Sequence, residues 1–336
     1  MEQIPYVSVI IPMYNAEKYI GELLESLLIQ TLKNFEVIIV DDCSTDESFN
    51  IAKSYLPQFE SRLKLMKLPT NSGSPSIPRN KGLDFSRGKY IFFMDNDDVI
   101  LENTLEELYN FAEKFQADVV HCEKYFTSSG IGDDFINNIK IIPNKLETNK
   151  SEWMLSENIV DRANIWLQFK FGIMPWLSFT SRNFLIAADI KFRDLKREDV
   201  FWSFEVLLSA PKILCVANPY CVHRVDNNSM TTRNNTLKKY LGYWMDRTVN
   251  GLKLLEDFLL KIPFFKENPE ARYTILNHWA LGDLELISRA CKDFEPHVLK
   301  ENFQETFSKN LGDKDTLVAF LVANSVRFIN ELKKKN

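Results

Sequence analysis

The chain has 336 residues, of which 45% are apolar, and it carries a formal net charge of -5. This length exceeds that of most single domains, so we expect one large domain with an appendage, or two domains. A chain with this acidic balance has no overall electrostatic footprint for nucleic acid, and no nucleic-acid partner is expected.

The first third of the chain alternates between strand-like and helix-like segments. Short runs of β-branched and aromatic residues predict buried strands, and segments with an apolar residue every three or four positions predict helices. Residues 44–47 form a capping-box sequence that predicts the start of the second helix. This alternation favours an α/β fold, in which a mostly parallel sheet has helices on both faces. The predicted strands are 7–11, 35–40, 63–68 and 90–94, and the predicted helices are 17–30, 44–55, 76–86 and 102–115.

Three of these strands end in polar residues, at the edge of the sheet where open α/β folds bind ligands. Three carboxylates after a buried strand repel one another unless a cation compensates, which predicts a divalent metal that carries a phosphate-bearing ligand. The alternative is a solvated turn that caps the next helix. No glycine-rich phosphate loop is present, which argues against a dinucleotide-binding domain and a nucleotidyltransferase. The polar groups are residues 12–15, Asp41 with Asp42, and Asp95, Asp97 and Asp98.

Five pieces of the first third share their order and spacing with one known family. They are residues 7–16, 30–46, 71–73, 79–83 and 88–97. On these pieces the sequence resembles a family 2 inverting glycosyltransferase of the GT-A fold, the type found in bacterial capsule, lipo-oligosaccharide and other surface-glycan pathways. The resemblance implies a Rossmann-like sheet with helices on both faces, and it makes Asp95-Asn96-Asp97 the Asp-x-Asp motif of the family.

The resemblance also implies a donor and a cofactor. The donor is a nucleoside-diphosphate sugar, with a uridine nucleotide favoured, and the cofactor is a divalent metal, Mn2+ or Mg2+. Asp41 and Asp42 are expected to contact the base or ribose, and Asp95 the ribose. Asp97 is expected to bind the metal that bridges the diphosphate. The predicted nucleotide-sugar-binding residues are Pro12, Tyr14, Asn15, Asp41, Asp42, Asn71, Gly73, Arg79, Asp95, Asn96 and Arg224.

Residues 197–202 resemble the Glu-Asp motif of the same family. An inverting transfer needs a carboxylate that takes the proton of the acceptor hydroxyl while that oxygen attacks the anomeric carbon. The resemblance gives this role to Asp199 and makes Glu198 a neighbour that positions Asp199 or the acceptor. The alternative for the pair is a helix N-terminus, where acids favour the helix dipole. Trp176 and Trp202 flank this segment and are predicted to bind the acceptor.

Two cation-capable residues, His223 and Arg224, follow in the second half of the chain. Imidazole can bind a divalent ion, and guanidinium matches two phosphate oxygens at once. His223 is therefore predicted to complete the metal site, and Arg224 to neutralise the leaving diphosphate. A surface or core position is the alternative for His223.

Residues 1–231 are predicted to form the GT-A catalytic domain. Nucleotide-sugar binding is assigned to residues 1–120, and acceptor binding and catalysis to residues 121–231. Residues 232–336 show helical spacing outside the resemblance and are predicted to form a C-terminal helical subdomain. The acceptor is expected to be a glycan or a lipid-linked saccharide. A non-catalytic assembly scaffold of the same fold and a retaining glycosyltransferase are the alternatives.

Several features favour a cytoplasmic protein. No apolar run approaches the ~20 residues that span a bilayer, and residues 1–6 do not resemble a signal peptide. The five cysteines are scattered without a CxxC pair, as is typical of reduced thiols. The basic residues 333–335 follow an amphipathic segment, so peripheral association with the inner face of the cytoplasmic membrane is an alternative. Donor sugar, linkage and oligomeric state are left open.

Overall fold

The fold comes from a computed structural model that describes residues 4–130, 132, 139–143, 150–195, 198–225 and 250–291. The chain divides into two compact units, Met1–Thr232 and Arg233–Asn336. No helix of the described residues is long and apolar enough to cross a membrane. The basic residues 333–335, on which the predicted membrane contact depends, lie outside the described residues.

The first unit contains ten strands and eight α-helices in its described part. The strands are β1 (Val7–Met13), β2 (Phe35–Asp41), β3 (Leu63–Lys67), β4 (Tyr90–Phe93), β5 (Val99–Ile100), β6 (Val119–Ser128), β7 (Lys140–Pro143), β8 (Glu152–Met154), β9 (Ser178–Ser181) and β10 (Ile213–Arg224). The helices are α1 (Ile20–Leu28), α2 (Ser48–Ser54), α3 (Leu56–Phe59), α4 (Ser76–Phe85), α5 (Thr104–Phe115), α6 (Ile159–Leu167), α7 (Arg182–Ala187) and α8 (Glu198–Ser209).

In the second unit, all regular secondary structure of the described residues is helical. Residues 250–259 are helical, and they are followed by α9 (Pro263–Glu267) and α10 (Pro269–Cys291). The predicted helical character of the C-terminal region is therefore confirmed for these residues.

The ten strands form one sheet, in which eight follow the spatial order β3-β2-β1-β4-β9-β6-β10-β5. The strands β3, β2, β1 and β4 run parallel to one another. Strand β9 is antiparallel to both β4 and β6, whereas β6 and β10 are parallel. Strands β7 and β8 pair antiparallel with β6 and β10. The predicted α/β fold is confirmed; its first four strands form the parallel part, and the sheet as a whole is mixed.

The centre of the parallel part is β1, and every residue of β1 and β2 is buried. A strand covered on both faces consists of continuous apolar residues, which is why the sequence predicted these strands. The strand β1 continues through Pro12 to Met13, two residues beyond its predicted end. Proline lacks an N–H, but the ladder between β1 and β4 ends at Ile10, so Pro12 pairs with β2 alone.

The C-terminal end of α8 is anchored by the buried Arg162 of α6. Its Nη1 donates to the carbonyl oxygens of Leu207, at 3.2 Å, and Ala210, and its Nη2 donates to that of Pro211 at 3.1 Å. The last carbonyl groups of a helix have no partner within the helix. One guanidinium group therefore satisfies the end of α8 and fixes this helix against the rest of the unit.

Candidate active site

The loops after β1 and β2 are joined by hydrogen bonds at the edge of the sheet. Asn15 has a φ of 48°, the left-handed region that Asn tolerates. Its Oδ1 accepts a hydrogen bond from Thr45 N at 2.9 Å, and its own N–H donates to Ser44 Oγ at 3.0 Å. Tyr14, next to Asn15, is 44% exposed. The structure therefore places a ring that is open to a ligand beside a loop held in one conformation.

Asp41, the last residue of β2, is fully buried. Its carboxylate accepts hydrogen bonds from Ser44 N, at 3.2 Å, and from the Ser44 hydroxyl, and Lys67 Nζ lies 3.4 Å from Oδ2. These contacts commit Asp41 to the turn after β2, and its contact with a nucleotide stays a prediction. The predicted capping box is wrong, because Ser44 bonds Asp41 and α2 begins only at Ser48 without a side-chain cap.

Asp42 connects the end of β2 to residues 71–73. Its Oδ1 accepts a hydrogen bond from Ser72 N, and its Oδ2 accepts one from Ser72 Oγ, both at 2.9 Å. Asn71 Nδ2 donates to the Asp42 carbonyl oxygen at 3.0 Å, and Gly73 has the left-handed φ of 74° that closes this loop. The structure thus brings together three of the predicted nucleotide-binding residues, Asp42, Asn71 and Gly73.

The acidic loop after β4 is held from the side of β10. Asp98 is fully buried and accepts hydrogen bonds from Arg224 N at 2.8 Å and from His223 Nδ1 at 3.0 Å. Burial opposes the protonated form of His223, but the hydrogen bond to Asp98 outweighs it and raises the pKa of His223 to about 9. Burial, together with repulsion from Asp98 and Asp95, raises the pKa of Asp97 to about 7. The raised pKa shows that the negative charges of Asp95 and Asp98, together with burial, outweigh the attraction of His223 at Asp97.

This loop offers a place for a divalent cation. Asp95 pairs with Arg79 and Asp98 with His223, which leaves Asp97 without an ion pair in the described part of the chain. Nδ1 of His223 is held by the Asp98 carboxylate, as in many histidines that bind metals through Nε2, and such binding would require His223 to lose its second proton to the solvent. No group of three His, Cys, Asp or Glu side chains among the described residues forms a metal site alone. The residues fit a metal that takes its remaining ligands from phosphate and water.

Arg79, on α4, connects this acidic loop to α8. It is 4% exposed, and its Nη2 donates to Asp95 Oδ1 at 2.6 Å while its Nη1 donates to Glu198 Oε1 at 2.7 Å. Burial lowers the pKa of the Arg79 guanidinium, but Asp95 and Glu198 outweigh this effect and raise that pKa, so Arg79 stays charged. One buried cation thus brings the acidic loop after β4 and the first turn of α8 to the same place.

The predicted catalytic pair lies in that first turn. Burial raises the pKa of Glu198, the adjacent Asp199 raises it further, and Arg79 opposes both effects. Asp199 is only half-buried, and its Oδ1 accepts a hydrogen bond from Val200 N at 2.9 Å. A partly accessible carboxylate therefore lies next to the ion pairs of Arg79.

Arg224 was predicted to bind the diphosphate, but its guanidinium is buried and bonded within the protein. It is 3% exposed, and its Nε donates to the Asp97 carbonyl oxygen at 2.8 Å. Its Nη1 donates to Gly130 O, and its Nη2 pairs with Glu22 Oε2. Because these contacts occupy the guanidinium, we correct the role of Arg224 from diphosphate ligand to support of the loop that carries Asp97.

The two predicted acceptor-binding tryptophans are both buried, each 1% exposed. Trp202 stacks on Phe192 with ring centroids 5.2 Å apart, and its edge meets Phe93 at 5.6 Å. Trp176 stacks on His223 at 5.5 Å. A ring that stacks on a sugar needs an open face, and neither has one here. Trp202 is therefore reassigned to the core, and Trp176 to the support of His223.

Three polar residues that hold the site together were missed by the sequence reasoning. Ser72 and Asn80 lie within the pieces that carry the family resemblance, so those pieces were a usable signal for them. Glu22 lies on the charged face of α1, and nothing in the sequence distinguishes it from the other charged residues of that face. Pro12 and Asn96 lie at the predicted edge, buried and half-buried respectively.

An acidic loop beyond parallel strands, with a second acidic pair held beside it, is the arrangement of a GT-A-type glycosyltransferase domain. Residues 8–169 match the family model described as Glycosyl transferase family 2. The chain is 26% identical over 324 residues to the poly(ribitol-phosphate) beta-N-acetylglucosaminyltransferase TarP of Staphylococcus aureus (strain N315), covering 93% of this chain and 91% of TarP. Residues 8–169 belong to glycosyl transferase family 2, as predicted.

Two further relatives share parts of the chain. The uncharacterized glycosyltransferase EpsJ of Bacillus subtilis (strain 168) is 31% identical over 233 residues, which cover 68% of this chain and 63% of EpsJ. The poly(ribitol-phosphate) beta-N-acetylglucosaminyltransferase TarS of Staphylococcus aureus (strain MW2) is 44% identical over 115 residues, 34% of this chain, and the chain spans only 20% of the length of TarS in this match.

A solved structure is similar over most of the chain. The crystal structure of S. aureus TarS 1–349 in complex with UDP-GlcNAc aligns with a TM-score of 0.67 and 25% identity, covering 91% of this chain and 80% of that chain. This similarity confirms the predicted GT-A fold.

Proposed function

We propose that this chain transfers a sugar from a UDP-sugar to a hydroxyl group of a bacterial surface polymer, with inversion at the anomeric carbon. The observation that carries the proposal is the Arg79 bridge between Asp95 and Glu198. The similarity to the UDP-GlcNAc complex of TarS supports a uridine donor. The names of TarS and TarP support a poly(ribitol-phosphate) as the first acceptor to test, within the wider class of capsular, lipid-linked and other surface glycans.

In this proposal the residues divide into a donor side and an acceptor side. Asp42 and residues 71–73 receive the base and ribose beside the exposed ring of Tyr14. Asp199 takes the proton of the acceptor hydroxyl as its oxygen forms the bond to the anomeric carbon, while the bond from that carbon to the diphosphate breaks on the opposite face. Asp97, with His223, would hold a divalent cation, which supplies positive charge opposite the departing diphosphate.

The donor side is tested by thermal shift with UDP-, GDP-, CDP- and dTDP-sugars, each with and without Mn2+ or Mg2+. Binding at one hundred times Kd stabilises a protein by about 2.7 kcal/mol, so a saturating UDP-sugar should raise the melting temperature measurably. The shift should need the metal and should disappear in Asp97→Ala. Asp84→Ala, at an exposed position of α4, is the matched control and should retain the shift. Absence of a shift with every nucleotide would refute the donor assignment.

The acceptor side is tested with Asp199→Asn. Loss of a general base typically slows a reaction about 10²- to 10⁴-fold, whereas the thermal shift with UDP-GlcNAc should persist. Loss of both would show that Asp199 serves donor binding instead. The anomeric configuration of the product, read by NMR, tests inversion: retention of the donor configuration supports the retaining alternative. Donor binding with no turnover on any acceptor supports the scaffold alternative.

A further inference from the structure

The polar face of α4 binds the main chain of Phe192 and Arg193, in the segment of residues 190–195 that precedes α8. Asn80 Oδ1 accepts a hydrogen bond from Phe192 N at 2.9 Å, and Asn80 Nδ2 donates to Phe192 O at 2.8 Å. One amide side chain thus satisfies both main-chain groups of a single residue, as a neighbouring strand would. Ser76, one turn earlier, donates its hydroxyl to Arg193 O at 2.9 Å.

Phe192 is in turn connected to the acidic pair. Its ring stacks on Trp202 of α8, with the planes 6° apart, and the Arg79 guanidinium lies 4.8 Å from the centroid of the same ring. Next to it, Arg193 Nη2 pairs with the buried Glu205 of α8 at 2.7 Å. A shift of Phe192 would therefore move the packing of α8 and the support of the Arg79 bridge together.

The start of α4 also lies close to the donor side. The helix begins at Ser76, three residues after the end of the loop of residues 71–73 that binds Asp42. The helix α4 is therefore one rigid element that contacts the nucleotide loop at its start and the segment before α8 through its polar face.

We infer that Asn80 is a positioning residue for sugar transfer: by holding Phe192, it sets the distance between the donor loop and Asp199. The inference rests on the proposed function. Both hydrogen bonds of the Asn80 side chain described above run to Phe192, so Asn80 acts through Phe192. Its removal should misplace the base while the donor loop keeps its own contacts, and turnover should fall with little change in donor affinity.

The test compares Asn80→Ala and Asn80→Asp with wild-type protein. Asn80→Asp keeps the acceptor for Phe192 N–H but opposes a carboxylate to Phe192 O. The matched control is Asp84→Asn, which removes an exposed ion pair with Lys191, 3.6 Å long, between the same helix and the same segment. UDP affinity is measured by calorimetry, kcat and KM by UDP release from UDP-GlcNAc with poly(ribitol phosphate), and hydrogen exchange by mass spectrometry over residues 198–209.

For both Asn80 variants, we expect kcat to fall about 10- to 100-fold, because a small misplacement of reacting groups has effects of that size. The Kd for UDP and the donor KM should stay within about twofold of wild type, since both report ground-state binding. Hydrogen exchange in α8 should increase in both variants. Asp84→Asn should match wild type in every measurement.

A kcat for Asn80→Ala within about twofold of wild type would overturn the inference, and so would a loss of UDP affinity equal to the loss of kcat. The proposed function fails separately, if wild-type protein neither binds UDP nor releases it from UDP-GlcNAc. In that case the hydrogen-exchange measurement tests the inference. Unchanged exchange over residues 198–209 in Asn80→Ala overturns it, and increased exchange supports the conclusion that Asn80 stabilises the position of α8.

Discussion

Replacing Arg79 by Met tests whether one buried cation holds the acidic loop and α8 together. Methionine keeps much of the apolar stem and removes the guanidinium, so Glu198 and Asp95 both lose their partner. The side chain of Glu198 is 11% exposed and cannot regain water, whereas that of Asp95 is 33% exposed and can be partly solvated. Removing one partner of a buried ion pair typically costs about 3–5 kcal/mol. Since Glu198 carries most of this effect, we expect a loss of about 3 kcal/mol in the free energy of unfolding.

The loss should depend on pH in a defined direction. Burial and Asp199 already raise the pKa of Glu198, and Arg79 is the group that opposes them. Without Arg79 this pKa rises further above its unfolded value, so ionised Glu198 destabilises the fold at pH values above the folded-state pKa. As the pH falls below that pKa, folded Glu198 is protonated and the penalty declines, until it is gone below the pKa of Glu198 in the unfolded chain. The difference between Arg79→Met and wild type should therefore be larger at pH 8 than at pH 5.

Urea unfolding followed by tryptophan fluorescence at both pH values measures this difference. The control is Arg87→Met, which removes a 3.5 Å ion pair whose arginine side chain is 46% exposed and whose buried carboxylate, Glu36, keeps Lys64 at 2.8 Å. Pairs of that kind contribute about 1 kcal/mol or less. A loss for Arg79→Met no larger than that of the control, or one that does not change between the two pH values, would refute the reasoning.

Three further predictions follow from the same contacts. Burial lowers the pKa of His121 to about 3, so on acidification the unfolded chain binds a proton at this residue below about pH 6.5, well before the folded chain does. The free energy of unfolding should therefore decrease as the pH is lowered, by up to about 1.4 kcal/mol per pH unit, and His121→Gln should reduce that dependence. Arg224→Lys should lower the free energy of unfolding by about 2 kcal/mol through lost hydrogen bonds and keep the UDP-dependent thermal shift; unchanged stability with a lost shift would restore the phosphate role. Trp202→Ala should cost about 3–5 kcal/mol as a core truncation, and a cost below about 1 kcal/mol in urea unfolding would mean a surface ring.

Local features of the sequence were sufficient for much of the fold. The strands β1 and β2 were predicted to within two residues, because a strand buried on both faces is apolar throughout and ends where polar residues begin. The start of helix α2 was predicted four residues too early, because the Ser44 hydroxyl could either cap the helix or donate a hydrogen bond to Asp41, and it does the latter. A sequence pattern cannot decide between two partners that are both within reach.

The sequence by itself determined the α/β class, the family resemblance and the acidic loop at residues 95–98, because these depend on contiguous residues and short spacings. Only the tertiary structure decided which cation faces each acid. Arg79 and Glu198 are 119 positions apart, and Arg224 and Glu22 are 202 apart. It also showed that Trp176 and Trp202 are closed off from solvent. Charge pairing and burial depend on how distant segments pack, and that packing is a property of the whole sheet that no local pattern contains.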